Sequence, residues 1–320
     1  MHMPRILLVK TSSLGDVVHN LPVVGDIRQH APNAEIDWVV EESFAAIPRM
    51  HPAVRGVIPV ALRRWRRDLS SAKTRAEICA SLGKLREREY DAIIDTQGLL
   101  KSAMVARAAR GHCFGLDWRS SREPLRFLYD RTFRVPWGQH AVRRNRSLAA
   151  QALGYGMSPE PGYGISAQPR DFSWLPGKRY AVLLHATSAE RKLWPESHWI
   201  ELCNYLFLND IFCILPWGSA IERERSERLA AGAKGGVVAP PALTLDELAA
   251  LLAGAQGVVG VDTGLTHLAA ALGAPALGIY VATDPTATGI YRAPHAMNLG
   301  GIGAPPAVAH VIDAWKTVTA

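Results

Sequence analysis

The 320-residue sequence has no long apolar run and few cysteines. No run approaches the roughly 20 residues that a membrane-spanning helix needs, and the N-terminal MHMPRILLVK leads straight into a predicted strand rather than a signal peptide. Its four cysteines form no CxxC pair, so we expect buried, reduced thiols and no disulfide or metal site. These absences predict a globular, cytoplasmic protein.

Several nucleotide and metal motifs are also missing. No GxGxxG follows a predicted strand and no GxxxxGK[ST] occurs, which argues against a standard dinucleotide oxidoreductase and a P-loop NTPase. There is no DxD and no cluster of His, Cys and Asp residues with metal-ligand spacing. We therefore expect chemistry without a bound metal and without a cofactor.

Positive charge is in excess, with a formal net charge of +7. Such a balance favours an acidic partner, which could be a nucleic acid, an anionic membrane surface or an acidic small molecule. No RNA- or DNA-binding module is recognisable, and the basic groups are short and local. The sequence therefore disfavours a nucleic acid but leaves the other two partners open.

Apolar runs of strand length alternate with segments of helical spacing along the whole chain. This order predicts an α/β fold with doubly wound parallel sheets, whose ligands bind beyond the carboxyl ends of the strands. The clearest predicted strands are residues 5–10, 35–40, 57–60, 91–95, 180–184, 211–215, 258–261 and 276–280.

A Pro- and Gly-rich stretch at residues 159–177 interrupts this alternation and is predicted to be a linker. It separates an N-terminal domain, residues 1–160, from a C-terminal domain, residues 178–303. An amphipathic helix follows at residues 304–320. Whether this helix packs back on the first domain is left open by the sequence.

The stretch GVVGVDTGLTHLAAALGAP, residues 257–275, has the order strand, turn, helix. The turn Asp262-Thr263-Gly264 would aim free backbone N–H groups and the positive end of a helix dipole at a ligand, which suits a phosphate. Alternatively, Asp262 or Thr263 only caps the helix. His267, in the first helical turn, could donate to a phosphate or simply pack.

A similar order occurs at the start of the chain, where residues 11–16 (TSSLGD) are predicted to form the turn after the first strand. Ser13 and Asp16 have the spacing of a capping box. The functional alternative is that Asp16 is a general base, kept ionised by the helix dipole and able to accept a proton from an attacking hydroxyl.

Two further loops in the second half carry candidate side chains. In HATSAERKLWPESHW, residues 185–199, Thr187 and Ser188 offer hydroxyls and Lys192 could hold a departing diphosphate, although an isolated lysine is more often part of a solvated loop. Glu222, after PWG at 216–218, could bind a ribose diol or could lie on a helix surface.

Arginines cluster at two places in the first half. One group, Arg63, Arg64 and Arg66, surrounds a tryptophan, and Arg119 and Arg122 lie in DWRSSREP. Such runs are usually solvated, but arginines at predicted strand ends also suit bidentate binding of carboxylates and phosphates.

Three separated motifs resemble the ADP-heptose:lipopolysaccharide heptosyltransferases, over essentially the whole chain. They are KTSSLGDVVHNLP, HATSAERKLWPESHW and GVDTGLTHLAAALGAP, in the same order as in that family. IPVALRRWRR and DWRSSREP are most similar to the type I branch, which adds the first heptose.

The resemblance implies a GT-B fold of two Rossmann-like domains facing across a cleft. It implies an inverting, metal-independent transfer of L-glycero-D-manno-heptose from ADP-L-glycero-β-D-manno-heptose to the Kdo sugar of Kdo-lipid A, in synthesis of the lipopolysaccharide inner core. It also implies peripheral contact with the cytoplasmic face of the inner membrane, where acidic lipid A would match the basic charge.

The resemblance also assigns roles by position. Asp16 matches the catalytic base and Lys192 the phosphate-binding lysine. The donor-side positions are Thr187, Ser188, Glu222, Asp262, Thr263, Gly264, Leu265 and His267, and the acceptor-side positions are Ser13, Gly15, Arg63, Arg64, Arg66 and Arg122.

Three other functions remain open at this point. A heptosyltransferase II would add the second core heptose with the same machinery. A nucleotide-sugar epimerase of the same architecture would need no basic acceptor surface, and a non-enzymatic nucleotide-binding protein would have no use for Asp16.

Overall fold

The short apolar runs of the sequence form two six-stranded parallel sheets, one in each half of the chain. The computed structural model describes residues 3–157, 159, 162–177 and 179–320. The chain divides into two compact units, Met1–Ile165 and Ser166–Ala320. Glu160, Pro161 and Lys178, at the predicted domain limits, lie outside the described residues; residues 162–177 contain no helix or strand.

The first unit alternates strands and helices. Its strands are β1 (Arg5–Val9), β2 (Glu35–Glu41), β3 (Val54–Val60), β4 (Glu89–Asp95), β5 (Arg110–Leu116) and β6 (Arg131–Phe133). Its helices are α1 (Leu14–Val18), α2 (Leu21–His30), α3 (Ala46–Arg49), α4 (Leu62–Trp65), α5 (Ala72–Arg86), α6 (Leu100–Ala108) and α7 (Ala141–Leu153), with 3-10 turns at Glu42–Phe44 and Arg126–Leu128. The strand order is β3-β2-β1-β4-β5-β6.

The second unit repeats this design. Its strands are β7 (Tyr180–Leu184), β8 (Phe212–Leu215), β9 (Gly236–Val238), β10 (Gly257–Val261), β11 (Ala276–Tyr280) and β12 (Ala296–Gly300). Its helices are α8 (Glu196–Leu208), α9 (Ala220–Gly232), α10 (Leu245–Ala253), α11 (Gly264–Ala271), α12 (Pro285–Thr288) and α13 (Val308–Thr319), with a 3-10 turn at Glu190–Lys192. The strand order is β12-β11-β10-β7-β8-β9.

The central strands are buried on both faces because helices cover the two sides of each sheet. All five residues of β10 are buried, as are four of the five residues of β1. Every strand pair of the two sheets is parallel. Within each unit, the loops that follow the strands therefore gather at one edge of the sheet, which is where the candidate side chains lie.

The last helix packs on the second unit. Val311 and Trp315 of α13 are buried in the same apolar core as Leu277 of β11 and Leu202 of α8. Their spacing places them on one face of the helix, and that face has its partner in the second sheet. The buried face of α13 is therefore part of the core of the second unit.

The cysteines are all free, and one of them is not buried. Cys113, Cys203 and Cys213 are buried, as expected, but Cys79 is exposed on α5. The expectation of burial is wrong at Cys79 because it lies one position beyond the half-buried stripe of Ile78 and Leu82. In the described parts of the chain, no helix is both long and apolar enough to cross a membrane.

Candidate functional site

The turn between β10 and α11 leaves the start of the helix without a side-chain cap. Thr263 is the N-cap residue, yet its side chain makes no capping hydrogen bond. The carboxylate of Asp262 accepts hydrogen bonds from other side chains. The alternative that one of these residues caps the helix through its side chain is therefore wrong, and the first-turn N–H groups keep the character of an anion site.

A glycine lets this helix approach its strand. A Cβ atom at Gly260 would lie 2.1 Å from Oγ1 of Thr266 and 3.0 Å from Cβ of Leu184. The Thr266 hydroxyl uses that space to donate a hydrogen bond to the carbonyl oxygen of Val261, at 2.8 Å. The first turn of α11 is thus attached directly to the end of β10.

Asp262 is the centre of a polar cluster at this edge. Lys192 Nζ and Thr283 Oγ1 each donate to its Oδ2 at 2.7 Å. Nε2 of His267 lies 3.7 Å from Oδ1, and Thr187 Oγ1 donates to the backbone carbonyl of Asp262 at 3.0 Å. This edge of the sheet therefore brings together a carboxylate, an ammonium group, an imidazole and two hydroxyls.

The sheet order explains this convergence. β10 lies between β11 and β7, and all three strands are parallel. Thr283 follows β11, Asp262 follows β10, and Thr187 and Lys192 follow β7. Parallel neighbours present their carboxyl ends side by side, so Lys192 and Thr283, which are 70 and 21 positions from Asp262 in sequence, become its neighbours in space.

The environment of Asp262 keeps it ionised. Burial alone would raise its pKa, but hydrogen bonds from His267, Lys192 and Thr283 outweigh the burial and lower the pKa well below the ordinary value of 3.8. The side chain of Lys192 is only 21% exposed, so this ion pair is partly shielded from water. The cluster is therefore a fixed charge pair rather than the solvated loop that was the alternative for Lys192.

The other predicted donor-side residues lie at the same edge with separate contacts. Glu222, half-buried in the first turn of α9, accepts a hydrogen bond from the Gly218 N–H through Oε2 at 2.7 Å. Ser188 is exposed in the loop after β7, and Leu265 is half-buried in the first turn of α11. The described contacts thus assemble Thr187, Lys192, Asp262 and His267, whereas Glu222 is engaged with its own loop.

A buried histidine supports the loop that carries Lys192. His185 follows β7, and its Nε2 lies 2.8 Å from the Ser226 hydroxyl on α9. Burial, reinforced by the charge of Arg225, lowers its pKa from 6.5 to about 4. His185 is therefore neutral near pH 7 and fixes the start of the loop. The sequence reasoning did not single it out, although its place at a strand end was a usable signal.

Asp16 occupies the first turn of α1 rather than the predicted turn, because the helix already begins at Leu14. Its Oδ2 accepts hydrogen bonds from both the N–H and the hydroxyl of Ser13, each at 2.8 Å. The predicted capping interaction is thus present. The carboxylate is half-buried, and Gly15 beside it is also half-buried, so Asp16 remains accessible to a proton-donating group.

A buried lysine near Asp16 was missed by the sequence reasoning. Lys10 is 5% exposed, and its Nζ donates to the carbonyl oxygen of Thr96 at 2.9 Å and to Oδ1 of Asn145 at 3.4 Å. Burial lowers its pKa, while the charges of Asp16 and Asp95 oppose that shift. Lys10 is the last residue of the predicted apolar strand 5–10. A charged residue at the end of such a strand is rarely buried without a partner, and this was the signal that could have identified it.

The loop before Asp16 is held by residues that follow β4. Gln97 Oε1 accepts hydrogen bonds from the N–H groups of Thr11 and Ser12, at 3.1 and 3.0 Å. Lys101 Nζ donates to the Ser12 hydroxyl at 3.0 Å. β4 is the neighbour of β1 in the sheet, so residues that follow β4 support the loop that follows β1. Neither Gln97 nor Lys101 belongs to a motif that can be recognised in the sequence.

Three of the four predicted acceptor-side arginines lie on α4 or directly after it, and the fourth, Arg122, follows β5. Arg64 is bound by two carboxylates, in a bidentate contact with Glu42 at 3.0 Å and in a contact with Glu77 at 2.7 Å. The guanidinium of Arg63 lies over the Phe44 ring. Arg66, just after α4, and Arg122, after β5, are exposed. Arg63 and Arg64 are exposed as well, but Arg64 already has two carboxylate partners.

Comparisons with known proteins agree with this architecture. Residues 79–310 match the model of glycosyltransferase family 9 (heptosyltransferase). Lipopolysaccharide heptosyltransferase 1 of Pseudomonas aeruginosa is 50% identical over 292 residues, which cover 90% of this chain and 81% of that protein.

Solved structures of heptosyltransferases are also similar to this chain in sequence and in fold. E. coli heptosyltransferase WaaC with ADP is 43% identical, with a TM-score of 0.90 over 98% of this chain and 99% of that one. The same enzyme with ADP-2-deoxy-2-fluoro heptose has 42% identity and a TM-score of 0.84 over 97% and 98% of the two chains. The expected GT-B fold and glycosyltransferase class are confirmed: the chain belongs to glycosyltransferase family 9, the heptosyltransferases.

Proposed function

We propose that the protein is the inverting enzyme that transfers L-glycero-D-manno-heptose from ADP-heptose to the Kdo sugar of Kdo-lipid A. The single observation that carries this proposal is the cluster of Lys192 and Asp262 at the carboxyl edge of the second sheet. It is a preorganised cation beside an open helix N-terminus, in a chain that is about half identical to a lipopolysaccharide heptosyltransferase 1.

The donor would bind through this cluster. An ammonium group has three donors, so Lys192 can keep its bond to Asp262 and still contact a diphosphate oxygen. The N–H groups of Thr263, Gly264 and Leu265, with His267 beside them, would take further phosphate oxygens. Thr187 and Ser188 would supply hydroxyls, and Glu222 would accept hydrogen bonds from the ribose diol.

The chemistry then needs one base and one stabilised leaving group. Asp16 takes the proton of the acceptor hydroxyl as that oxygen forms a bond to the anomeric carbon of the heptose. The bond from this carbon to the diphosphate oxygen breaks, ADP departs, and the configuration at the carbon inverts. Lys192 and the start of α11 offset the negative charge that grows on the diphosphate.

The acceptor would use residues of the first unit. Ser13 and Gly15 lie next to Asp16, and the exposed Arg66 and Arg122 suit the Kdo carboxylate and the lipid A phosphates. Arg63 and Arg64 belong to the same proposed surface, where Arg64 would have to exchange a carboxylate partner for the ligand. Because lipid A is membrane-bound, the proposal includes peripheral contact with the cytoplasmic face of the inner membrane.

The test is a transfer assay with purified protein and ADP-heptose. Two acceptors are compared, one ending in Kdo and one ending in heptose, and both ADP release and product mass are measured. Transfer to the Kdo acceptor alone supports the proposal. Transfer only to the heptose acceptor would identify a second-heptose enzyme, and a changed donor without transfer would identify an epimerase.

A further inference from the structure

An exposed apolar surface lies on the β4 to β6 side of the first unit. It consists of Trp118, Phe127 and Trp137, which are 61%, 93% and 50% exposed, and of Leu100 and Met104, which are 53% and 60% exposed. We refer to these five side chains as the aromatic surface. None of them belongs to the proposed donor or acceptor machinery.

Hydrogen bonds fix the loops that carry the two tryptophans. Arg144 of α7 donates to the carbonyl oxygens of Ser120, Val135 and Pro136, at 2.7, 3.1 and 2.7 Å. Trp137 Nε1 donates to the Arg119 carbonyl oxygen at 2.8 Å. The loop after β5 and the loop after β6 are therefore joined, so the exposure of the tryptophans is built into the fold.

The remaining members adjoin these loops through α6. The Leu100 N–H donates to the carboxylate of Glu123, in the loop after β5. Helix α6 also packs against the Arg126–Leu128 turn, which carries Phe127. Leu100 and Met104 are four residues apart and share one face of α6. The segments that carry the aromatic surface, α6 and the loops after β5 and β6, are therefore in contact with one another.

Positive charge surrounds these apolar side chains. Residues 117–144 contain seven arginines and only three acidic residues. The arginines are Arg119, Arg122, Arg126, Arg131, Arg134, Arg143 and Arg144. Two of them stack on the tryptophans, Arg119 over Trp118 at 4.8 Å and Arg144 over Trp137 at 4.1 Å.

Aromatic rings ringed by arginines match the chemistry of one partner in particular. Tryptophan and phenylalanine side chains favour the boundary between lipid headgroups and acyl chains, and arginines bind lipid phosphates and are attracted by anionic lipids. We infer that the aromatic surface docks the protein on an anionic phospholipid bilayer.

The position of the surface gives this docking a purpose, which rests on the proposed function. The loops with Trp118 and Trp137 follow β5 and β6, at the same edge of the first sheet where Asp16 follows β1. Docking through these loops turns that edge toward the bilayer. An acceptor sugar that is attached to a lipid would then be presented to Asp16.

The test measures vesicle binding by co-sedimentation. Vesicles of phosphatidylethanolamine with phosphatidylglycerol are compared with vesicles of phosphatidylcholine alone, at low and high salt. We expect preferential, salt-sensitive binding to the anionic vesicles, and a loss of about tenfold or more in the Trp118→Ala/Phe127→Ala variant because two rings no longer leave water. The matched control is Leu208→Ala/Ile302→Ala, which removes side chains that are 80% and 72% exposed in the second unit.

Each other outcome has a definite meaning. Equal binding by both variants, or no binding by the parent protein, overturns the inference, and so does a concentration-dependent self-association that only the Trp118/Phe127 variant loses. Thermal unfolding shows whether that variant is folded. Transfer to a lipid-free Kdo acceptor is measured in parallel: normal vesicle binding without any transfer would reject the proposed function and leave the docking surface intact.

Discussion

Lys192 Nζ lies 2.7 Å from Oδ2 of Asp262, although 70 positions separate the two residues in sequence. The same oxygen accepts a hydrogen bond from Thr283. The lysine that is proposed to stabilise the departing diphosphate is therefore held in place before any donor binds. Preorganisation of this kind is effective because the charge does not have to be moved during the reaction.

Replacing Lys192 by alanine is expected to lower kcat/KM by about 10²–10³-fold, since one charged contact to the leaving group is lost. Donor affinity should fall as well, because the same ammonium contacts the ground-state diphosphate. Steady-state kinetics and calorimetric titration with ADP measure the two effects. The matched control is Lys316→Ala, which removes another lysine paired with an aspartate, at 3.1 Å, on α13. Unchanged kinetics of Lys192→Ala would reject its role.

Asp16→Asn is expected to reduce kcat by about 10²–10⁴-fold with nearly unchanged donor binding, because it removes a proton acceptor and no donor contact. Asparagine can still accept the hydrogen bonds from Ser13, so stability should change little. Rapid-quench measurement of a single turnover, together with ADP titration, tests this.

The control for Asp16 is another capping carboxylate. Glu247 accepts hydrogen bonds from the N–H and hydroxyl of Thr244, each at 2.8 Å, at the start of α10. Glu247→Gln therefore perturbs the same kind of contact away from the proposed chemistry, and its turnover should equal that of the parent protein. Equal losses in the two variants would mean that Asp16 acts only as a cap.

Asp262→Asn is expected to destabilise the second unit by about 1–3 kcal/mol at neutral pH, because Lys192 loses its buried counter-charge. The folded-state pKa of Asp262 is lowered below 3.8, so its contribution is complete above that pH and is lost as the pH falls through the lower folded value. The stability difference between parent and variant should thus be constant from neutral pH to about pH 5 and shrink in stronger acid. Urea unfolding at a series of pH values checks this; a difference that already disappears at pH 6 would contradict it.

His185 should make the protein acid-sensitive. Its pKa is 6.5 in the unfolded chain and about 4 in the folded protein, so the unfolded state binds more protons between these values. Stability is therefore full above pH 6.5 and falls as the pH decreases toward 4, by up to about 3 kcal/mol from this group. In His185→Gln that part of the slope should vanish, whereas His310→Gln, at an exposed position on α13, should keep the parent slope. Unfolding free energies at several pH values measure it.

The inner strands other than β5 could be predicted from sequence, and so could the edge strand β3, whereas the edge strands β6, β9 and β12 could not. β1, β4, β7, β10 and β11 appear as apolar runs because both of their faces are covered. β5, with the sequence RGHCFGL, has three buried residues among exposed and half-buried ones, and β12, with AMNLG, has no buried residue. Without a continuous apolar run, they carry no clear strand signal.

In the candidate site, individual residues could be predicted from sequence, but their contacts could not. Motifs identified Asp16, Lys192 and Asp262 individually. Their contacts depend on which strands are neighbours, and a strand order such as β11-β10-β7 cannot be read from the order along the chain. Thr283 was missed for this reason: it becomes significant only because β11 lies beside β10.

Gly260 has a further consequence. Thr266 reaches the end of β10 only because Gly260 has no side chain. The position of the first turn of α11, whose N–H groups form the proposed anion site, therefore depends on this glycine. Gly260→Ala would wedge the first turn of α11 away from the sheet while leaving every polar group of the site unchanged. Gly260→Ala is therefore expected to weaken donor binding at the proposed site, although every polar side chain of the cluster is retained.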